Sequence, residues 1–269
     1  MDALTATLAL LSVSFYFIAA ATVARSLGRR DAIPGARVQM LVVLALLLHG
    51  LVLSDMLWRP EGLHVGLFSI AGLHGALLAL LALLVNLYRP VHGIYLIATP
   101  LAAIELSLGV AGHDPTPPMT APTPGMELHI LLSLLAYSVL SIAALQAILV
   151  HWQERALRVH RRGLLMALPA LQTMERMLFE LIALGFVLLS IAIATGAFLL
   201  DDLFAQHVAH KTVLTLMAWL VFAILLLGRH WRGWRGRTAV RFTLTGFLLL
   251  LIGFIGSKFV LELVLQRSL

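Results

Sequence analysis

The sequence predicts an all-α fold: a polytopic membrane bundle of about eight transmembrane helices that forms a single domain over residues 1–269. Hydrophobic residues make up 61% of the chain and charged residues only 12%, whereas a soluble domain carries roughly 45–50% apolar and about 25% charged residues. The apolar residues fall into stretches of about 20, the length that an α-helix needs to cross the hydrocarbon core of a bilayer.

The spans follow from these stretches. The third and fourth form a hairpin broken at Arg89-Pro90, since proline cannot continue a helix. The first is not predicted to be a cleaved signal peptide, because Met1-Asp2 precedes it where such a peptide carries a basic region. The eight predicted spans are approximately 3–24, 38–57, 65–88, 92–110, 127–150, 177–200, 210–228 and 240–263.

Two loops between the spans have distinctive compositions. The outer loop 112–125 is rich in proline, which favours an extended chain over a helix. The inner loop 151–176 is basic and long enough for a short helix along the membrane face, which the Leu168-Pro169 step would break.

The placement of the basic residues predicts the orientation. With these spans, 15 of the 19 Lys and Arg residues fall in loops on one side and four on the other. The positive-inside rule makes the richer side cytoplasmic, so both termini are predicted to lie outside. The net charge of +6 is then a topology signal, and no nucleic-acid partner is predicted.

Several classes of site are excluded by what the sequence lacks. The chain has no cysteine, which rules out disulfides, thiolate metal sites and covalent thioether attachment of a cofactor. It contains no phosphate-binding loop, no HExxH zinc motif and no GxSxG nucleophile elbow. The chain is therefore not predicted to be an enzyme, and no catalytic residue is assigned.

Histidines at one depth are the most informative polar residues. His49 lies in the outward half of span 2, His129 opens span 5 and His210 opens span 7. Neutral imidazole is the commonest metal ligand, and two histidines from different helices can hold a haem iron from both faces. The alternative is that each histidine only hydrogen-bonds between helices. That alternative is favoured for three others near the same level: His64, His74 and His207.

A polar stripe runs along span 5. His129, Ser133, Tyr137 and Ser141 recur every four residues, which places them on one helical face. Such a face should contact protein or a cavity rather than lipid. Packing between helices is the favoured role of the serines and Tyr137, with cofactor contact by Tyr137 as the alternative.

Four segments resemble a known family, the CcsA-type cytochrome c assembly and haem-handling membrane proteins. The resemblance covers roughly residues 125–256, with a weaker likeness over a core of about 38–263. The family's tryptophan-rich WWD segment is missing, and an AHK-like element occupies its place, as in the small YpjD/HemX-like branch. The segments are ELHILLSLLAYSVL (127–140), LPALQTMERMLF (168–179), LGFVLLSIAIATG (184–196) and GWRG (233–236).

The resemblance implies a haem-binding protein of the bacterial inner membrane that acts in cytochrome c or haem-protein biogenesis. Non-covalent haem b would lie near the outer face between spans 2, 5 and 7. His129 and His210 are predicted as its iron ligands and His49 as a further ligand or supporting group. Tyr137 is a further cofactor contact, and Lys211 and Lys258 would meet the propionates.

Two other functions remain open. A HemX-like regulatory or scaffold subunit of tetrapyrrole synthesis would use the basic loop 151–176 to contact its partner and would not transport haem. A solute or ion transporter would use the outer histidines for coupling, but no span is polar along its whole depth. The predicted partners are therefore the lipid bilayer together with cytochrome c assembly or tetrapyrrole-synthesis proteins.

Overall fold

A computed structural model describes residues 3–29, 32–59, 62–64, 66–112, 124–159, 168–199 and 209–256. Within these residues the fold is helical, and eight helical segments are long and apolar enough to cross a membrane. This confirms the predicted all-α polytopic bundle. The helices are α1 (Ala3–Arg29), α2 (Gly35–Leu57), α3 (Leu67–Tyr88), α4 (Tyr95–Ala111), α5 (Pro124–Arg158), α6 (Leu171–Leu199), α7 (Ala209–Arg232) and α8 (Gly236–Leu251).

The chain divides into two compact units. The first unit contains α1–α4, and the second contains α5 as far as Glu154 together with α6–α8. In the first unit, α1 packs against α2 and α4, and α3 packs against α4. The ring of Tyr16 is fully buried at its centre, among four alanines from the other three helices: Ala45, Ala79, Ala102 and Ala103.

The hairpin break predicted at Arg89-Pro90 is confirmed. Helix α3 ends at Tyr88, and Arg89 is extended (φ −143°, ψ 121°), as expected for a residue before proline. A 3₁₀ turn, His92–Ile94, then leads into α4.

A short ribbon between α2 and α3 was not predicted. Strand β1 (Trp58–Arg59) pairs antiparallel with strand β2 (Gly62–Leu63). Gly62 has φ 131°, a backbone conformation that favours glycine. Two-residue strands are too short to leave a periodic signal in the sequence.

The helices on either side of the predicted inner loop 151–176 extend into it. Helix α5 continues to Arg158, and α6 already begins at Leu171, just after the Leu168-Pro169 step. Residues 151–158 contain several good helix formers and no glycine or proline. Hydropathy therefore located the end of the apolar stretch and not the end of the helix. Residues 160–167, the outer-loop residues 113–123 and residues 200–208, directly before the AHK-like element, lie outside the described residues.

The GWRG turn between α7 and α8 is fixed from both sides. Gly233 and Gly236 have positive φ values of 66° and 52°, which glycine adopts most readily. The Gly236 N–H donates to Glu175 Oε1 of α6 at 2.8 Å. Arg229 Nη1 donates to the Trp234 carbonyl at 3.2 Å. The motif is thus a structural turn that also ties α8 to α6.

Close packing in the second unit depends on glycine. A Cβ on Gly185 would lie 2.6 Å from a methyl carbon of Leu140, and one on Gly246 would lie 2.8 Å from the ring of Phe222. Helix α8 ends in a π-helical turn, Ile252–Gly256. The described part of the second unit ends there.

Candidate functional site

The second unit contains a cavity of about 360 Å³ between α5, α6, α7 and the end of α8. This volume falls within the range of about 300–1,000 Å³ typical of ligand pockets. In the predicted orientation it opens near the outer ends of the helices. Its walls are formed by His129, Ser133, Tyr137, Leu189, Ala192, Ile193, Gly196, Ala197, Lys211, Thr212, Thr215, Leu216, Leu250 and Phe254.

Helix α6 supplies the apolar wall. Its five lining residues, Leu189, Ala192, Ile193, Gly196 and Ala197, recur at positions i, i+3, i+4, i+7 and i+8, which is one face of a helix. Three of the five carry at most a methyl group, so the space beside them is not filled by their own side chains.

Helix α5 supplies the polar stripe seen in the sequence. His129, Ser133 and Tyr137 line the cavity, while Ser141 is buried further along and donates to the Tyr137 carbonyl at 2.9 Å. The Tyr137 ring stacks on Phe254 with centroids 5.2 Å apart and also contacts Phe247 at 5.6 Å. Tyr137 therefore packs between helices and lines the cavity, while its contact with a cofactor stays a prediction.

Helix α7 brings a cation to the cavity. The ammonium of Lys211 lies 5.4 Å from the centroid of the Phe254 ring, within the range of a cation–π interaction. Thr212 and Thr215 follow it along the same wall. A positive charge beside apolar walls favours a ligand that is mostly apolar and carries a carboxylate.

His129 is held against α6. Its Nδ1 atom lies 3.1 Å from the hydroxyl oxygen of Thr195. A Cβ on the next residue, Gly196, would lie 2.9 Å from the ring carbon Cε1. Glycine at position 196 therefore allows the imidazole to approach the helix this closely.

The other predicted cofactor-binding residues are His210, Lys258 and His49. His210 is the second residue of α7, directly before Lys211, and its side chain lies outside the described residues, as does Lys258. His49 belongs to the first unit, where it is fully buried and its Nδ1 lies 3.2 Å from the hydroxyl of Tyr16. It does not line the cavity.

Two polar contacts in the first unit account for histidines that the sequence rated as weak candidates. His74 Nδ1 lies 3.0 Å from both carboxylate oxygens of Glu105, and this pair is largely buried between α3 and α4. His64 Nδ1 lies 3.2 Å from the Gly62 carbonyl in the ribbon. Sequence reasoning missed Glu105, although a carboxylate and a histidine near the same end of two hairpin helices are a recognisable signal.

The donor set of the cavity can be compared with what haem requires. In the described part of the chain, no three His, Cys, Asp or Glu side chains are grouped to hold a bare metal ion. Haem iron needs only axial ligands from the protein, since the porphyrin supplies the other four. An imidazole, apolar and aromatic walls and a lysine therefore fit haem better than a free metal ion.

The family model described as cytochrome C assembly protein matches residues 3–265 of this chain. Among curated proteins, the chain is similar to inner membrane protein YpjD of Escherichia coli (strain K12), with 38% identity over 142 residues, or 53% of this chain and 54% of that protein. It is also similar to an uncharacterized 28.8 kDa protein of Azospirillum brasilense, with 34% identity over 161 residues, or 58% of this chain and 59% of that protein.

A more distant similarity is to the cytochrome c biogenesis protein CcsA of Gloeobacter violaceus, with 29% identity over 93 residues. That match covers 34% of this chain and 28% of the CcsA protein. The chain thus spans about half the length of the first two relatives, or less in the case of CcsA. No solved structure matches.

Proposed function

The chain belongs to the cytochrome c assembly protein family, and on that premise we propose that it binds haem in the membrane and acts in cytochrome c or haem-protein biogenesis. The observation that carries the proposal is the cavity in which His129, Lys211 and the aromatic pair Tyr137 and Phe254 meet. We propose no catalytic turnover by this chain alone.

In this proposal His129 and His210 would hold the haem iron. His210 directly precedes Lys211, which lines the cavity. The haem would be held without covalent bonds, as haem b is, because a chain without cysteine cannot form thioether bonds to the vinyl groups. A bound haem would supply a redox-active iron. The role of His49 as a further ligand stays a prediction.

The remaining cavity residues would recognise the rest of the molecule. Lys211 would pair with a propionate, since an ammonium in partly apolar surroundings is stabilised by a carboxylate. Tyr137, Phe254 and the apolar face of α6 would pack against the macrocycle. The protein would lie in a bacterial inner membrane, as the name of its Escherichia coli relative states for that relative, and its partners would be cytochrome c assembly proteins.

Absorption spectroscopy tests the proposal. Wild-type protein purified in detergent, oxidised and then reduced with dithionite, is expected to show a Soret band and α and β bands that sharpen on reduction. These bands should be lost in the double variant His129→Ala/His210→Ala. They should persist in His230→Ala, which removes an exposed histidine at the other end of α7. A wild type whose spectrum with added hemin is that of free hemin alone would overturn the proposal.

A regulatory or scaffold role is the second candidate. It is favoured by the extension of α5 beyond the apolar stretch, which exposes Arg155 and Arg158. Reversing both charges to glutamate should then abolish co-purification of a partner from membranes. Retention of the partner by this variant would argue against the role.

A further inference from the structure

A threonine on α6 determines which nitrogen of His129 is available to a ligand. We propose that Thr195 is a positioning residue that holds the His129 proton on Nδ1 and so leaves the lone pair on Nε2. The tautomer is inferred from hydrogen bonds alone. Its use as a ligand for haem iron rests on the proposed function.

The first step concerns the single hydrogen of the Thr195 hydroxyl. Its oxygen lies 3.0 Å from the carbonyl oxygen of Ala192, one turn earlier in α6. A carbonyl oxygen can only accept a hydrogen bond. The hydroxyl therefore donates its one hydrogen to Ala192.

The second step concerns the contact with the ring. The same oxygen lies 3.1 Å from His129 Nδ1. Having used its hydrogen, the oxygen can only accept here, so Nδ1 must be the donor. A neutral imidazole carries one proton, and Nε2 then presents its lone pair. The chain of donors thus runs from His129 through Thr195 to the Ala192 carbonyl.

The third step is that the ring has little freedom to exchange the two nitrogens. The face of α6 touches Nδ1 through Thr195 and approaches Cε1 at the adjacent Gly196. The Ala192 carbonyl, the acceptor that Thr195 also uses on this face of α6, forms a further hydrogen bond with the ring, and the ring lines the cavity. Nε2 is therefore the nitrogen that remains available to a ligand.

This arrangement is what a metal-ligating histidine requires. Its second ring nitrogen normally donates to an acceptor, which fixes the tautomer and raises the basicity of the ligand. Loss of such a partner typically weakens metal binding by about 10- to 100-fold. Thr195 would supply this support before haem arrives.

The second unit offers a matched control outside the cavity. Thr243 of α8 is buried and does not line the cavity, and its hydroxyl donates to the Ala239 carbonyl of its own helix at 2.8 Å. Thr195→Val and Thr243→Val make the same chemical change. Only the first removes a contact with His129, and Thr195→Ser restores the hydroxyl.

The tautomer is tested without haem. Protein labelled with ¹⁵N-histidine in detergent, at a pH where His129 is neutral, should give a pyrrole-type signal from Nδ1 and a pyridine-type signal from Nε2. His129→Ala identifies these two signals by their loss. They should become averaged in Thr195→Val and remain distinct in Thr243→Val. A wild type protonated on Nε2 would overturn the inference.

The positioning role is tested by hemin titration. Thr195→Val should bind hemin about 10- to 100-fold more weakly than wild type, while Thr195→Ser and Thr243→Val should bind nearly as wild type. Equal affinities for the two valine variants would overturn the positioning role. A wild type that binds no hemin would instead overturn the proposed function, and the ¹⁵N signals would still decide the tautomer.

Discussion

The two units treat membrane-depth histidines in opposite ways. In the first unit His74 is paired with Glu105, and His49 is fully buried beside the Tyr16 hydroxyl. In the second unit the His129 ring is held by the Thr195 hydroxyl and borders a cavity. A histidine inside a span thus becomes a candidate ligand only where the packing leaves space beside it.

Whether a cavity remains beside the small residues depends on the size of the side chain that faces them. Both units have small residues at their helix contacts, but the Tyr16 ring occupies the centre of the first, among Ala45, Ala79 and Ala102. In the second unit, Ala192, Gly196 and Ala197 face the cavity instead. Helices with similar small residues therefore give a filled core in one case and a binding site in the other.

Removing the ring that fills the first unit is expected to have the largest effect. Tyr16→Ala should lower the free energy of unfolding by about 3–5 kcal/mol, through the cavity it leaves. Denaturant or thermal unfolding in detergent measures it. Tyr16→Phe is the control, which loses only the hydrogen bond to His49 and should cost about 1 kcal/mol. Equal losses in the two variants would contradict the view that packing by the ring closes this unit.

Filling the cavity of the second unit should lower the free energy of unfolding by less than the loss of Tyr16, and it should abolish hemin binding. Gly196→Leu places a side chain where His129 approaches α6, and overpacking of this kind costs about 1–3 kcal/mol. We expect a folded protein that no longer binds hemin. The control is Ala194→Leu, which adds the same side chain at an exposed position of α6. Gly233→Leu would not serve, because the positive φ of Gly233 strains any other residue. Undiminished hemin binding by Gly196→Leu would show that the cavity is not the haem site.

Disrupting the pair of His74 and Glu105 should lower the free energy of unfolding by less than either change above. Glu105→Gln removes the charge opposite His74 but keeps a hydrogen-bonding group. Polar contacts between membrane helices are worth about 1–2 kcal/mol at most, so the free energy of unfolding should fall by about 1 kcal/mol. Hemin binding should not change, which distinguishes the two units. Glu127→Gln, at an exposed position, is the control, and a loss of hemin binding in Glu105→Gln would contradict the distinction.

The smallest effect is expected when the positive charge of Lys211 is removed from the cavity. Lys211→Gln should weaken hemin binding by about 0.5–1 kcal/mol, as for a partly exposed ion pair. The loss should shrink as salt is added, since salt screens such pairs. Arg232→Gln, at the opposite end of α7, is the control. A loss of the same size at high salt would show that Lys211 acts through packing and not through charge.

The spans were predictable because apolar length is a local property of the sequence. The break at Arg89-Pro90 was predictable for the same reason, since proline acts on its own helix. The helix ends at 151–158 and 171–176 were missed, because a charged segment can remain helical beyond the membrane. Residues whose roles depend only on local chemistry were thus the ones that the sequence located.

The site was predictable only in part. The four-residue spacing placed His129 and Tyr137 on one face of α5, and both line the cavity with Lys211. Thr195, Gly196 and Glu105 were missed, because their roles depend on which helix lies beside them. No periodicity within α6 reveals that it packs against His129, so these contacts could be found only in three dimensions.

Helix α6 is fastened at two widely separated points. Near its start the Glu175 carboxylate accepts from the backbone of Gly236, and near its end Thr195 meets His129. The two points are 20 residues apart, or about 30 Å along the helix axis. Sliding or rotation of α6 as a rigid rod would stretch both fastenings at once. A displacement of the GWRG turn that moves α6 would therefore also change the width of the cavity at the opposite end of the second unit.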